Sequence, residues 1–276
     1  MAVTDLLVII VAVILSRLLA IHFPNSFLNT TPGCRQIILL IHVSLNCSVW
    51  LTVAFTFDRF LTICYQGQNT KYCTEKVASV VIGTVCVLCC SINVPFYFVY
   101  GPLFILDSVG WSCDIRAIFY TSVAWRLFDT FDRIQTPCLP FLLILLFNVR
   151  TVRHIIVANR ARRRLQFNRN KSNKCDTEME SRRKSIVLLF AISGSFLLLW
   201  LTYIVHFLLT QISGDSYLTG TNPNDPKYIL QESGHMLQLL SSCTHTCIYA
   251  VTQTKFRGQF QDAFKYFSKL IMKCHK

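Results

Sequence analysis

The sequence predicts an all-α bundle of helices that crosses a membrane several times. Three observations predict it. Charged residues are only 15% of the 276 positions and hydrophobic residues 53%, with a mean hydropathy of +0.44, whereas a surface facing water on all sides needs roughly 25% charge. Six nearly uncharged apolar stretches, at about 2–21, 34–63, 76–99, 133–157, 185–210 and 229–252, each reach the ~20 residues that cross a bilayer core as a helix. The net charge of +13 is gathered in the connections between them. The stretches lack the period-2 alternation of barrel strands, and no internal repeat is visible. A soluble enzyme, a disordered tail and a disulfide-stapled secreted module are excluded. The cations do not line a soluble face, so nucleic acid is not an expected partner. The lipid bilayer is.

The first span starts without a positive n-region or a small-residue cleavage site, so it reads as a span and not as a removable signal. Its one ionisable residue near the start is Asp5. Asp5 lies near the inner surface if the chain begins here and deeper if more helix precedes it. The loop 22–33 is uncharged and carries the glycosylation sequon Asn29-Thr30-Thr31. Asn46-Cys47-Ser48 also matches that pattern but lies mid-span.

The second span begins at Cys34 and ends with Asp58-Arg59. An arginine at a helix end usually snorkels to the interface, and a functional role is the competing reading. The third span holds Cys86, Cys89 and Cys90, which read as buried thiols rather than metal ligands, and Pro95. The 100–130 loop carries Cys113. Cys34 and Cys113 are the two cysteines placed at or beyond the outer boundary, where an oxidising medium permits a disulfide. Pro140 marks the fourth span, since membrane helices tolerate proline as a kink.

The fifth span puts Trp200 at its centre, away from the interfaces tryptophan prefers, which points to a protein-lined cavity. The sixth carries Ser241, Ser242, Thr244, His245 and Thr246. Such residues serve as glue between membrane helices. A proton relay through His245 lacks a carboxylate within a turn or two. After residue 252, Phe260, Phe264 and Phe267 share one side of a short amphipathic surface helix. The chain thus divides into a bundle, 1–252, and an amphipathic helix with a cytoplasmic tail, 253–276.

Orientation follows from charge. Segment 150–184 holds twelve basic residues for a net +9, loop 65–76 nets +1 and the tail +5, while the loops at 100–130 and 211–228 each net −1. Basic loops stay in the cytoplasm. Six spans with an inside C-terminus put the N-terminus inside as well.

Taken together, the residues resemble the rhodopsin-like (class A) G-protein-coupled receptors, closest to the orphan group of receptors 139 and 142. Asp58-Arg59-Phe60 resembles the family's Asp/Glu-Arg-Tyr motif. Cys34 stands 25 residues before Arg59, the family's spacing for its outer disulfide, with Cys113 as partner. Pro140 resembles the fifth-helix proline, Phe196 and Trp200 the sixth-helix pair, and His245-Thr246-Cys247-Ile248-Tyr249 the Asn-Pro-x-x-Tyr motif. Asp5 resembles the second-helix aspartate, and Ser48, eleven residues before Arg59, the third-helix serine of a sodium site.

The resemblance implies a seven-helix fold of which helices 2–7 are present, the first helix being expected ahead of this sequence. It implies a plasma-membrane receptor that passes an extracellular small-molecule or peptide signal, an aromatic amino acid or peptide, to a heterotrimeric G protein. The roles it implies are coupling for Asp58, Arg59, Phe60, Asn148 and Tyr249; a packing relay of Val49, Pro140, Phe196 and Trp200; and a ligand pocket of Ile41, His42, Leu45, Trp200 and Tyr203. A polar core of Asp5, Ser48, Ser241, Ser242 and His245 follows too, with a sodium ion near Asp5 and no other cofactor. Phe60, Thr202 and His245-Thr246 depart from the family's Tyr, Pro and Asn-Pro. Arg182 stands where an acidic partner of Arg59 is often found, so no ionic lock forms there and basal activity is expected to rise. No arginine stands out as a carboxylate binder. The rival classes are a transporter or channel, which six spans would suit but which lacks repeats, and a non-signalling receptor fragment.

Overall fold

The computed structural model describes residues 2–65, 74–106, 109–166, 175–213 and 224–252, with Gly258 and Asp262 of the tail. The expected amphipathic helix with Phe260, Phe264 and Phe267 lies outside the described residues. The described chain is a bundle of long helical rods, as composition requires.

The first rod, α1, is α-helical over Ala2–Ile9, π-helical over Ile10–Leu18 and α-helical again over Leu19–His22. A short connection follows, in which Ser26 caps a single turn at Phe27–Asn29. The second rod, α2, is Thr31–Cys64, with proline in its first turn, where a missing N–H costs nothing. Gly33 is required there: a Cβ would stand 2.5 Å from the Phe27 carbonyl oxygen, so only glycine lets the connection fold back onto α2.

Rod α3, Glu75–Asn93, is capped by the Thr74 hydroxyl, which accepts the Val77 N–H at 3.3 Å. It breaks at Val94-Pro95 and resumes as Phe96–Val99. Rod α4 runs as Val123–Arg133, then a π-helical Ile134–Cys138, then Leu139–Gln166. Rod α5 is Cys175–Ser213. Rod α6 is Pro226–Thr252, its start capped by Asp225 Oδ1, which accepts the Lys227 N–H at 2.9 Å.

At one end, the segment after α3 forms two small antiparallel ladders. β1 (Tyr100–Gly101) pairs with β4 (Asp114–Ile115), and β2 (Phe104–Leu106) with β3 (Val109–Trp111). Ser112, with φ of 54°, turns the chain after β3 so that its N–H donates to the Asn29 carbonyl at 2.6 Å. The Thr31 hydroxyl donates to the Ser112 carbonyl. The Cys34–Cys113 disulfide fastens this hairpin to the start of α2. Cys34 is therefore tied to Cys113, as the resemblance implied.

Rod α2 is the hub, packed against α1, α3, α4 and α5. Half of its most apolar stretch is buried, against 11% for α3, so α3 is peripheral and turns most of its surface to lipid. α5 and α6 pack together most extensively. Gly234 permits their close approach, since a Cβ there would lie 3.3 Å from Tyr203 Cα. Among the described residues, four helical stretches qualify by length and apolarity as membrane spans: Thr31–Cys64, Glu75–Val99, Val123–Ala158 and Ser185–Ile212. The first rod is divided by its π-helical middle, and α6 is diluted by Ser, Thr, Gln and His.

Among these four spans, one boundary differs from the sequence expectation by more than a few residues. α4 starts at Val123, ten residues before the expected 133, because Arg126 and Asp129 read as charges of the 100–130 loop when they are helical. α5 begins at Cys175 as a polar extension, while its apolar span, Ser185–Ile212, starts at the expected residue.

Candidate functional site

The bundle holds three polar or aromatic layers along α2. The middle layer is centred on Asp5, which is 1% exposed. Its Oδ1 accepts the Ser48 hydroxyl in a short hydrogen bond. Its Oδ2 faces His245 Nδ1 at 3.7 Å and has no hydrogen-bond partner. Ser241, Ser242 and His245 are buried along the same side of α6. Ser48 lies eleven residues from Arg59, about 16 Å along α2, so Asp5 sits deep in the bundle and not at its inner surface. No carboxylate stands within a turn or two of His245 on its own helix; the one it faces, Asp5, comes from α1, far away in sequence.

The layer toward the disulfide end combines rings and charges. His42, on the α2 turn that also carries Ile41 and Leu45, stacks on Phe96 with centroids 4.0 Å apart. Phe96 in turn packs on Phe128. Trp200 meets Tyr203 edge-on at 6.3 Å, and Tyr203 meets His235 at 5.6 Å. Facing these, Arg133 Nε donates to both oxygens of Asp129, at 2.9 and 3.1 Å, and the Thr136 hydroxyl donates to Asp132 Oδ1 at 3.3 Å. Asp129 and Arg133 lie within electrostatic reach of His42 and Tyr203, and Arg133 also of His206 and His235. His206 is 6% exposed, with neither ring nitrogen hydrogen-bonded. Above this layer, Phe96, Val99 and Phe119 form an aromatic roof with Tyr100, Trp125 and Phe128. Burial pushes the Tyr100 phenol up to about 12, with nearby Tyr120 adding to it, so it stays neutral and packs as an apolar ring.

Below Trp200 the contacts are dry. Trp200 stacks on Phe196 at 5.2 Å, and both belong to one buried cluster with Val49, Val53 and Ile144. Pro140 is buried one turn above Ile144, directly after the π-helical turn; having no N–H, it suits a place where the helical ladder is already widened. Phe147, packed on the cluster, stacks on Phe60 at 5.6 Å and touches Phe57 at 5.2 Å. A continuous line of rings and aliphatic side chains thus reaches from Trp200 to the far end of α2. There Arg59 pairs with its neighbour Asp58 at 3.0 Å, donates to the Ser185 hydroxyl at 3.5 Å and lies over the Phe55 ring. Asn148 Nδ2 donates to Ser193 Oγ at 2.8 Å, joining α4 to α5. Tyr249 belongs to the last turns of α6, but its side chain, like that of Arg182, lies outside the described residues.

Residues 1–249 match the family model for the 7 transmembrane receptor (rhodopsin family). The chain belongs to that receptor family. It is also similar to the B2 bradykinin receptor of Rattus norvegicus, with 21% identity over 236 residues, 84% of this chain and 55% of that receptor. The chain therefore spans about half the length of this relative. Rhodopsin-family members are membrane receptors and not enzymes. Among the described residues no group of three or more His, Cys, Asp and Glu is arranged to hold a metal ion.

The family resemblance also implies a sodium ion beside Asp5, and the residues here fit one poorly. The open oxygen of Asp5 faces a ring nitrogen of His245, whereas hard cations take oxygen ligands. Of the sequence-derived candidates, the structure brings Asp5, Ser48 and His245 together. It also gathers Val49, Phe196 and Trp200, with Pro140 a turn away, and places Tyr203 and His42 around the outer charges. It sets Asn29 in a folded turn, its amide nitrogen donating to the Phe23 and Pro24 carbonyls. Sequence reading missed Asp129, Asp132, Arg133, His206 and His235. The available signal was the Asp129-x-x-Asp132-Arg133 spacing, one helical face, overlooked because Asp129 was assigned to the 100–130 loop and Arg133 to the next span. Arg133 is the arginine nearest these rings, and its guanidinium is held by Asp129.

Proposed function

We propose that the chain is a G-protein-coupled receptor of the plasma membrane, akin to the orphan group of receptors 139 and 142. It passes an extracellular signal to a heterotrimeric G protein. The single observation that carries this reading is the unbroken packed line from Trp200 through Phe196, the Val49–Ile144 cluster and Phe147 to Phe60, beside Arg59. Such a line joins a polar cluster at the disulfide end to a basic opposite end, and close-packed interiors shift between discrete arrangements instead of deforming smoothly. A ligand that prefers one arrangement shifts the population toward it.

The ligand chemistry follows from the outer layer. Both signs of charge stand among aromatic rings, with His206 buried and unpartnered. That combination suits an aromatic amino acid or a peptide, with a cationic and an anionic end and a ring. The relative named for bradykinin favours the same class. Asp58, Arg59, Phe60, Asn148 and Tyr249 form the G-protein side.

The test is a G-protein dissociation assay in cells that display the full chain at their surface. Aromatic amino acids and short peptides are screened against each Gα class, with Arg59→Ala beside the wild type. The expected result is a response that Arg59→Ala loses at equal surface amount. Surface-displayed chain that moves no Gα class, basally or with any ligand, sinks the reading.

A further inference from the structure

The buried layer around Asp5 contains two groups that each lack what the other offers. Asp5 is a carboxylate removed from water, with Oδ1 satisfied by Ser48 and Oδ2 unsatisfied. His245 is 1% exposed, and neither ring nitrogen has a hydrogen-bond partner. The two stand 3.7 Å apart, Oδ2 to Nδ1. Buried polar groups are rarely left unpaired, and a buried carboxylate demands a positive partner. Ser241, whose hydroxyl is buried and unpartnered, and Ser242 flank the pair from α6, and Ser48 from α2.

We propose that the Nδ1–H of His245 is the resident hydrogen-bond donor to Asp5 and closes this polar core to a monovalent cation. A shift of less than 1 Å in the imidazole makes a charge-assisted hydrogen bond. The same ring then occupies the direction from which an ion would approach Oδ2, and it presents nitrogen and hydrogen there in place of oxygen. The tie between α1 and α6 becomes a covalently anchored side chain, independent of the salt around the protein. This inference rests on the packing of α1, α2 and α6 and not on the signalling reading, so either can fail without the other.

The experiment is thermal unfolding of the purified full chain in nanodiscs, in sodium chloride and in choline chloride at equal ionic strength. The wild type is expected to melt at the same temperature in both. His245→Asn puts an amide oxygen where the ring stood, and this variant is expected to melt about 2–4 °C higher in sodium, as ligand linkage gives for a site filled several times over. The double variant His245→Asn, Asp5→Asn should lose that difference. A wild type stabilised by sodium over choline overturns the proposal, and so does a folded His245→Asn without any sodium response. Should His245→Asn fail to fold, His245→Gln replaces it, and the wild-type comparison decides by itself.

Discussion

Phe196 shows how much one side chain carries in this bundle. It is 1% exposed and stacked between Trp200 and the Val49–Ile144 cluster. Inside a membrane, lipid tails are as apolar as the core, so its worth lies in packing contacts more than in escape from water. Phe196→Ala leaves a void with no partner atoms and should cost about 3–5 kcal/mol, read as a large drop in melting temperature of the solubilised chain; Phe196→Leu should cost a smaller part of that. The Asp129–Arg133 pair behaves differently. Both partners are largely buried and doubly bonded, so removing one strands the other. Arg133→Ala or Asp129→Ala alone should each cost about 3–5 kcal/mol, and the double variant much less than their sum. A double-mutant cycle on melting temperature checks this, and additive single effects would show the pair to be independent.

The elements explain what the sequence could and could not reveal. The hydropathy of residues 34–63 and 185–210 marks α2 and α5 plainly, because a membrane rod must be apolar over a fixed length. Arg59 and Trp200 were legible because each is anomalous where it stands, a charge at a span end and a tryptophan at a span centre, while Phe196 came only with the family resemblance. The family resemblance grouped Asp5 and His245 in one polar core, but their direct contact was not legible from hydropathy or spacing, since it joins the first and last rods. Asp129 and Arg133 escaped because four charged residues in eleven erased the hydropathy signal of α4's first turns, although their pairing makes the charges tolerable there. The hairpin after α3 depends on a covalent tie that composition alone could only permit. Cys34→Ser frees a segment closed over 79 residues of sequence, a loop length for which the chain-entropy argument gives about 4–5 kcal/mol. The expected outcome is a marked fall in surface-displayed chain. The same fall with Cys113→Ser, and no further fall in the double variant, identifies the pair as the cause.

At the scale of the whole molecule, the two ends of α2 differ chemically. One end carries the Cys34–Cys113 bond and the hairpin seated on it, and disulfides persist on the oxidising side of a membrane. The other end, about 37 Å away if the 25 residues from Cys34 to Arg59 are counted as helix, carries Arg59, which reaches Ser185, the residue that in sequence follows the stretch 150–184 with its twelve basic residues. Positive segments resist translocation, so two independent chemistries, redox and charge, assign the same orientation. Protease added to sealed, right-side-out cells should therefore leave the arginine-dense stretch before Ser185 intact and cut it only after permeabilisation. An epitope placed after Ser112 should be stained without permeabilisation. Replacing Arg160, Arg162, Arg163 and Arg164 with glutamine removes four of those charges and should raise the fraction of chains inserted the wrong way round, seen as partial protection of the outer epitope. Cleavage of the basic stretch from outside in the wild type would reverse the bundle, and with it the assignment of the Asp129–Arg133 layer to the ligand side and of Arg59 to the G-protein side.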